Sequence, residues 1–209
     1  MNAAALLANA RVVPVIVIED TDTAVPLART LFESGLPAIE VTLRTSAAVN
    51  AIRDIAAEVP EILVGAGSLR TPDQVDAVRD AGAAFGVSPG SSSTLLEAVA
   101  AANLPFIPGA VTPSESLQLL DRGYTLQKFF PASVAGGLPY LKALGAPLPE
   151  VSFMPTGGVS ADNATDYLSL ANVACVGGSW IAPQKTLAAR DFETIGKLAA
   201  HASQLGGRD

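Results

Sequence analysis

Residues 71–90 read TPDQVDAVRDAGAAFGVSPG, and the order of residue types within them decides the fold. Thr71 is a helix N-cap, and Pro72 suits the first helical position, where its missing N–H leaves no hydrogen bond unmade. Gly82 suits the turn beyond the last helical residue, so 71–82 is predicted to be one helix. The next run, AFGVSPG (84–90), is apolar and stopped by Pro89 and Gly90, and it reads as a strand.

The same unit recurs along the chain. Apolar, β-branched runs fall at 12–18, 38–43, 62–68, 84–90, 104–110, 125–132, 151–158 and 173–180. Helical periodicity lies between them at 24–35, closed by Gly35, and at 46–60, with Ser46 as N-cap. It returns at 92–103, 112–123 and 160–172. Eight strands, each followed by a helix, predict an α/β fold: a single (β/α)8 TIM barrel over residues 1–209, preceded by a short N-terminal helix in MNAAALLANARVVP. The strands lack clean polar alternation, as parallel strands covered by helices should. A doubly wound open sheet is the competing fold, but no glycine fingerprint follows the first strand. Glycines and prolines cluster at the strand C-termini, the rim where barrels build their sites.

Composition narrows the function. With 13 Lys+Arg against 20 Asp+Glu, the net charge of −7 argues against nucleic acid or an anionic membrane as the partner. A small anion remains compatible if a local site is positive. One cysteine, Cys175, allows no internal disulfide, and Cys175 with His201 is too small a set for an ordinary zinc site. No apolar run is long enough to span a membrane, and no basic segment precedes the N-terminal apolar stretch, so a cytoplasmic location is expected.

Several residues stand out. Glu40, in AIEVTLRT, is a carboxylate in an otherwise apolar strand, and alternation puts Glu40, Thr42 and Arg44 on one face. A structural Glu40–Arg44 ion pair and a functional pair are both open readings. Lys128, in TLQKFFPA, sits in an apolar strand beside Phe129 and Phe130. It either snorkels to water along its stem or is held in an apolar pocket, where an amine gives up its proton more readily and can attack a ketone. The glycine pairs in PTGGVS (155–160) and VGGSW (176–180) end the seventh and eighth strands. They are two tight turns, or they bring backbone N–H groups to an anion, with Thr156, Ser160 and Ser179 adding hydroxyls. Ser68, Ser88, Pro89 and Thr112 are further rim positions, each also readable as a plain turn residue, which is the preferred reading for Ser88 and Thr112.

Taken in order, EVTLRT, VGAGS, SPG, IPG, KFFPA, PTGGV and VGGSW resemble the 2-keto-3-deoxy-6-phosphogluconate (KDPG) aldolases, a family whose members often also act on 4-hydroxy-2-oxoglutarate. The resemblance implies a class I, Schiff-base lyase on a (β/α)8 barrel, forming a homotrimer and serving the Entner–Doudoroff pathway. It implies Lys128 as the imine-forming lysine and Glu40 as the general acid/base. Arg44, Ser68, Pro89, Phe130 and Thr156 would contact substrate, and Gly157, Gly158, Gly178 and Ser179 the phosphate. Neither metal nor cofactor is implied, and the partners are pyruvate and a phosphorylated keto-sugar acid. Serine at 68, where relatives usually carry threonine, keeps the hydroxyl and loses a methyl. Three rivals stand beside it: the aldolase for the galactonate-configured substrate, a non-covalent phosphate-binding isomerase or synthase, and a non-enzymatic barrel serving as a binding or assembly module, which the coexistence of Glu40, Arg44, Lys128 and both glycine pairs disfavours.

Overall fold

Side-chain caps start most of the longer helices in a computed structural model of the chain, which describes residues 2–206. Helix α1 (Ala3–Leu6) opens on Asn2, whose side chain accepts from Ala5 N–H. Strand β1 (Val12–Ile16) and helix α2 (Ala24–Glu33) follow, and Gly35 beyond α2 has φ 90°. Then come β2 (Ala38–Thr42), α3 (Ala48–Glu58), β3 (Leu63–Gly67) and α4 (Pro72–Asp80). Thr71 caps α4 as expected, accepting from Gln74 N–H, with Pro72 in the first turn. Next are β4 (Phe85–Val87), α5 (Ser93–Ala102, capped by Ser92), β5 (Phe106–Ile107) and α6 (Pro113–Leu120). At α6, Thr112 and Glu115 cap reciprocally. The chain continues through β6 (Leu126–Phe129), α7 (Gly137–Gly145), β7 (Ser152–Pro155), α8 (Ala164–Leu168), β8 (Val176–Gly178), α9 (Gln184–Ala188) and α10 (Phe192–Ser203).

The expected cap at Ser46 does not form. Helix α3 starts two residues later, after Ala47, which supplies no side-chain cap. Helix α7 is not marked by sequence punctuation, because Gly136, Gly137 and Pro139 resemble a loop. Pro139 lies in the first turn, where a missing N–H costs nothing.

All strand pairings are parallel, giving an α/β fold with a curled six-stranded sheet, ordered β5-β4-β3-β2-β1-β8, and a separate β6-β7 pair. Between the two sheets the ladders thin to isolated bridges: Gly109 with Lys128 on one side, and Phe153 with Val173 and Thr156 with Gly177 on the other. Both thin places sit at prolines. Phe153 N–H donates to Asn172 O toward β8, whereas Ser152 and Thr156 donate toward β6. By that alternation Pro155 lacks the N–H that would face β8. Ala110 N–H donates to Lys128 O, so Pro108, two residues earlier, lacks an N–H that would face β6.

Period two sorts the strand residues. Val13, Ala38, Phe85, Val87, Ile107, Leu126, Met154 and Cys175 gather on the concave face in one buried cluster, which Ala3 and Leu7 of the N-terminal segment join. Residues of opposite parity, among them Ile39, Val41, Val64, Phe106, Phe129, Phe153 and Val176, pack under the helices. The last helix, α10, packs on α2. Among the described residues no helix is long and apolar enough to cross a membrane.

Candidate active site

Two charged residues sit one step above that apolar floor. Along β6, Leu126 lies in the floor and Lys128 is the next residue of the same parity; along β2, Ala38 lies in the floor and Glu40 is next. Lys128 Nζ donates to Glu40 Oε1 at 3.0 Å and approaches Oε2 at 3.4 Å. The two side chains are 6% and 0% exposed, so the lysine does not snorkel to water. Glu40 is paired with Lys128, not with Arg44. The Phe130 ring lies 5.6 Å from Nζ, close enough for a cation–π contact. The lysine's backbone is anchored as well: its N–H donates to Pro108 O at 2.8 Å, and its carbonyl accepts from Ala110 N–H at 2.9 Å.

Burying both charges is tolerable only because they meet. One proton passing along the 3.0 Å hydrogen bond yields a neutral amine and a neutral carboxylic acid. The first is a nucleophile, and the second is a proton donor beside it.

Above the pair opens a cavity of about 160 Å³ whose walls include Arg44, Phe130, Thr156, Gly157, Gly158 and Ser179. Six of the residues singled out from sequence thus share one space. Thr42 at the end of β2 and Phe130 just past β6, two residues beyond Glu40 and Lys128 respectively, link the cavity to the buried pair. Arg44 is exposed at its edge, a cation ready for an entering anion. Gly157 and Gly158 have φ of 91° and 79°, consecutive left-handed residues that bring bare backbone to the wall. The turn is tied down: Ser133 N–H donates to Gly157 O at 3.0 Å, and Asn163 Nδ2 to Gly158 O at 3.0 Å.

Gly178, Pro89 and Ser68 are not among the residues lining this cavity. Gly178 has outward parity, and a side chain on it would run into the Trp180 ring; Gly177 is the glycine of that pair that lines the cavity. Pro89 is exposed, and its carbonyl lies against Gly109. Ser68, half-buried at the end of β3, takes φ 63°. That conformation costs a non-glycine residue roughly 1–2 kcal/mol, and such strain clusters at functional sites. Thr42 and Gly177 line the cavity as well: Thr42 lies on the face that alternation gives Glu40 and Arg44, and Gly177 shares the parity of Ser179. Cys175 is no rival nucleophile, since burial pushes its thiol up to about 12. A larger cavity of about 620 Å³, beside α7 and the turn before β8, contains Lys142 but no carboxylate.

A parallel α/β fold holding an amine against a carboxylate, below an anion-ready mouth, is an arrangement suited to covalent catalysis on a carbonyl compound. Residues 4–198 match the family model for KDPG and KHG aldolase, KHG being 4-hydroxy-2-oxoglutarate. The chain belongs to that family. It is 48% identical over 191 residues to a 2-dehydro-3-deoxy-phosphogluconate aldolase of Pseudoalteromonas atlantica, covering 91% of this chain and 89% of the relative. It is 47% identical over 201 residues to a KHG/KDPG aldolase of Escherichia coli K12, covering 96% and 94%. Among solved structures, KDPG aldolase from Legionella pneumophila, with pyruvate captured at low pH as a covalent carbinolamine intermediate, superposes with a TM-score of 0.93. That match has 44% identity and covers 96% of this chain and 97% of that one.

Proposed function

We propose that this chain is a class I aldolase cleaving 2-keto-3-deoxy-6-phosphogluconate to pyruvate and glyceraldehyde 3-phosphate, and 4-hydroxy-2-oxoglutarate to pyruvate and glyoxylate. The observation that carries the reading is the buried 3.0 Å contact between Lys128 Nζ and Glu40 Oε1. Glu40 takes a proton from Lys128, and the free amine attacks the C2 ketone. Glu40 returns the proton to the carbinolamine oxygen, water leaves, and a cationic imine remains. The carboxylate then removes the C4 hydroxyl proton, the C3–C4 bond breaks, and the imine accepts the electron pair as an enamine. Glyceraldehyde 3-phosphate departs, Glu40 protonates C3, and water releases pyruvate. Arg44 receives the substrate carboxylate, and Phe130, Thr156 and Ser68 shape the pocket. The Gly157–Gly158 turn and Ser179 receive the phosphate, with Pro89 and the Gly178 backbone at the margin.

The same reading treats residues 1–209 as one catalytic domain whose eight strands close into a (β/α)8 barrel. The isolated bridges on both flanks of the β6-β7 pair and the packing of α10 on α2 support closure. A homotrimer is the assembly the family resemblance supports, and light scattering of the purified chain would read it.

Borohydride reduction in the presence of pyruvate tests the mechanism. The expected product is a reduced pyruvate adduct on the peptide carrying Lys128. Failure to label a folded, substrate-binding protein would overturn the imine in favour of a non-covalent isomerase or synthase. Turnover of the two C4 epimers separates the gluconate-configured from the galactonate-configured substrate.

A further inference from the structure

Glu40 reaches its place because a neighbouring strand carries no side chain there. A Cβ built on Gly67, at the end of β3, would lie 2.1 Å from Glu40 Oε1 and 2.8 Å from both its Cδ and Cγ. Ordinary contact begins near 3.4 Å, so the carboxylate oxygen would have to retreat by more than an ångström. It has nowhere neutral to go, because the side chain is fully buried and Lys128 is already in hydrogen-bond contact. Gly67 is not among the residues with positive φ, so alanine suits its backbone and only the space is contested. The register places Gly67 beside Thr42 and Gly65 beside Glu40, so the carboxylate leans one pleat upward, toward the cavity, into the gap.

We propose that Gly67 is a positioning residue: its missing side chain is the socket that holds the Glu40 carboxylate at Lys128 and beneath the substrate. The inference rests on Glu40 acting as the proton shuttle, and it adds what sets the shuttle's location. A misplacement of about 1 Å can cost on the order of 10²-fold in rate, and this fall is expected in kcat. KM should change little, since Arg44 and the glycine turn are untouched.

The test is a cycle of Gly67→Ala, Glu40→Ala and the double variant, assayed for KDPG cleavage and for stability in urea. Gly67→Ala is expected to lower kcat about 10²-fold. The double variant should match Glu40→Ala within about twofold, because no carboxylate is left to displace. A native kcat in Gly67→Ala overturns the proposal, as does a double variant that falls below Glu40→Ala by the factor separating Gly67→Ala from the native chain. If Gly67→Ala fails to fold, a double variant as stable as Glu40→Ala upholds the clash, whereas an unfolded one shows that glycine serves the sheet itself and overturns it. Native turnover in Glu40→Ala is a different failure, that of the shuttle assignment.

Discussion

Replacing Lys128 with methionine keeps a side chain of similar length and removes the charge facing Glu40. The two charges lie 3.0 Å apart, which at an effective dielectric of about 20 amounts to roughly 5.5 kcal/mol of attraction. That attraction offsets desolvation of both ions, so the pair contributes little net stability, but removing one partner leaves a carboxylate in a fully buried site. The expected loss is about 3–5 kcal/mol. For a chain of this size, about 2–4 °C in Tm per kcal/mol translates this into a fall of roughly 6–20 °C. Lys128→Met combined with Glu40→Leu removes both charges and should return to native stability or exceed it by about 1–4 kcal/mol, while remaining inactive. Urea denaturation followed by far-UV circular dichroism measures all three proteins. A single variant as stable as the native chain would refute the argument, and so would a double variant no more stable than the single.

Two further outcomes follow from the site and its supports. Ser179→Ala should raise KM for the phosphorylated substrate by roughly 10- to 100-fold, the worth of one hydrogen bond to a charged group, and leave 4-hydroxy-2-oxoglutarate nearly unaffected; steady-state kinetics on both substrates separates the cases. Backbone N–H donation from Thr112 holds the Glu115 carboxyl below its ordinary 4.5, with Val111 N–H and the Thr112 hydroxyl adding to it. Its contribution is therefore complete above that value and lost as pH falls through the lowered one, so Glu115→Gln should destabilise at neutral pH by an amount that shrinks in acid below about 4.5, read by urea melts across pH.

Punctuation made most of the fold legible. Thr71, Ser92, Thr112, Gly35 and Gly82 act where their chemistry says they should, because caps and left-handed turns are decided within a few residues. What stayed hidden depends on long-range partners. The ladder breaks at Pro108 and Pro155 because the missing N–H of each faces one particular neighbour, a fact of register. Helix α7 hides because its glycines and proline read as a break unless their place in the first turn is known. Within the site, Glu40 and Lys128 announced themselves as charges in apolar strands. Their mutual contact, 88 positions apart in sequence, came only with the fold. The exchange of Gly178 for Gly177 at the cavity wall is a one-residue parity shift, which a run of two glycines leaves undetermined.

In the proposed mechanism, the anchoring of Lys128 has a consequence for the speed of each catalytic encounter. A lysine side chain forfeits about 1.5–2 kcal/mol of rotamer freedom when it is immobilised. Here Glu40 and the ring of Phe130 fix the ammonium, and Pro108 and Ala110 fix its backbone, before any keto acid arrives. That entropy is surrendered once, during folding, and not again with every molecule consumed. An equally reactive amine on a mobile surface segment would have to be ordered afresh at each turnover, and its bond-forming step would be slower for that reason alone.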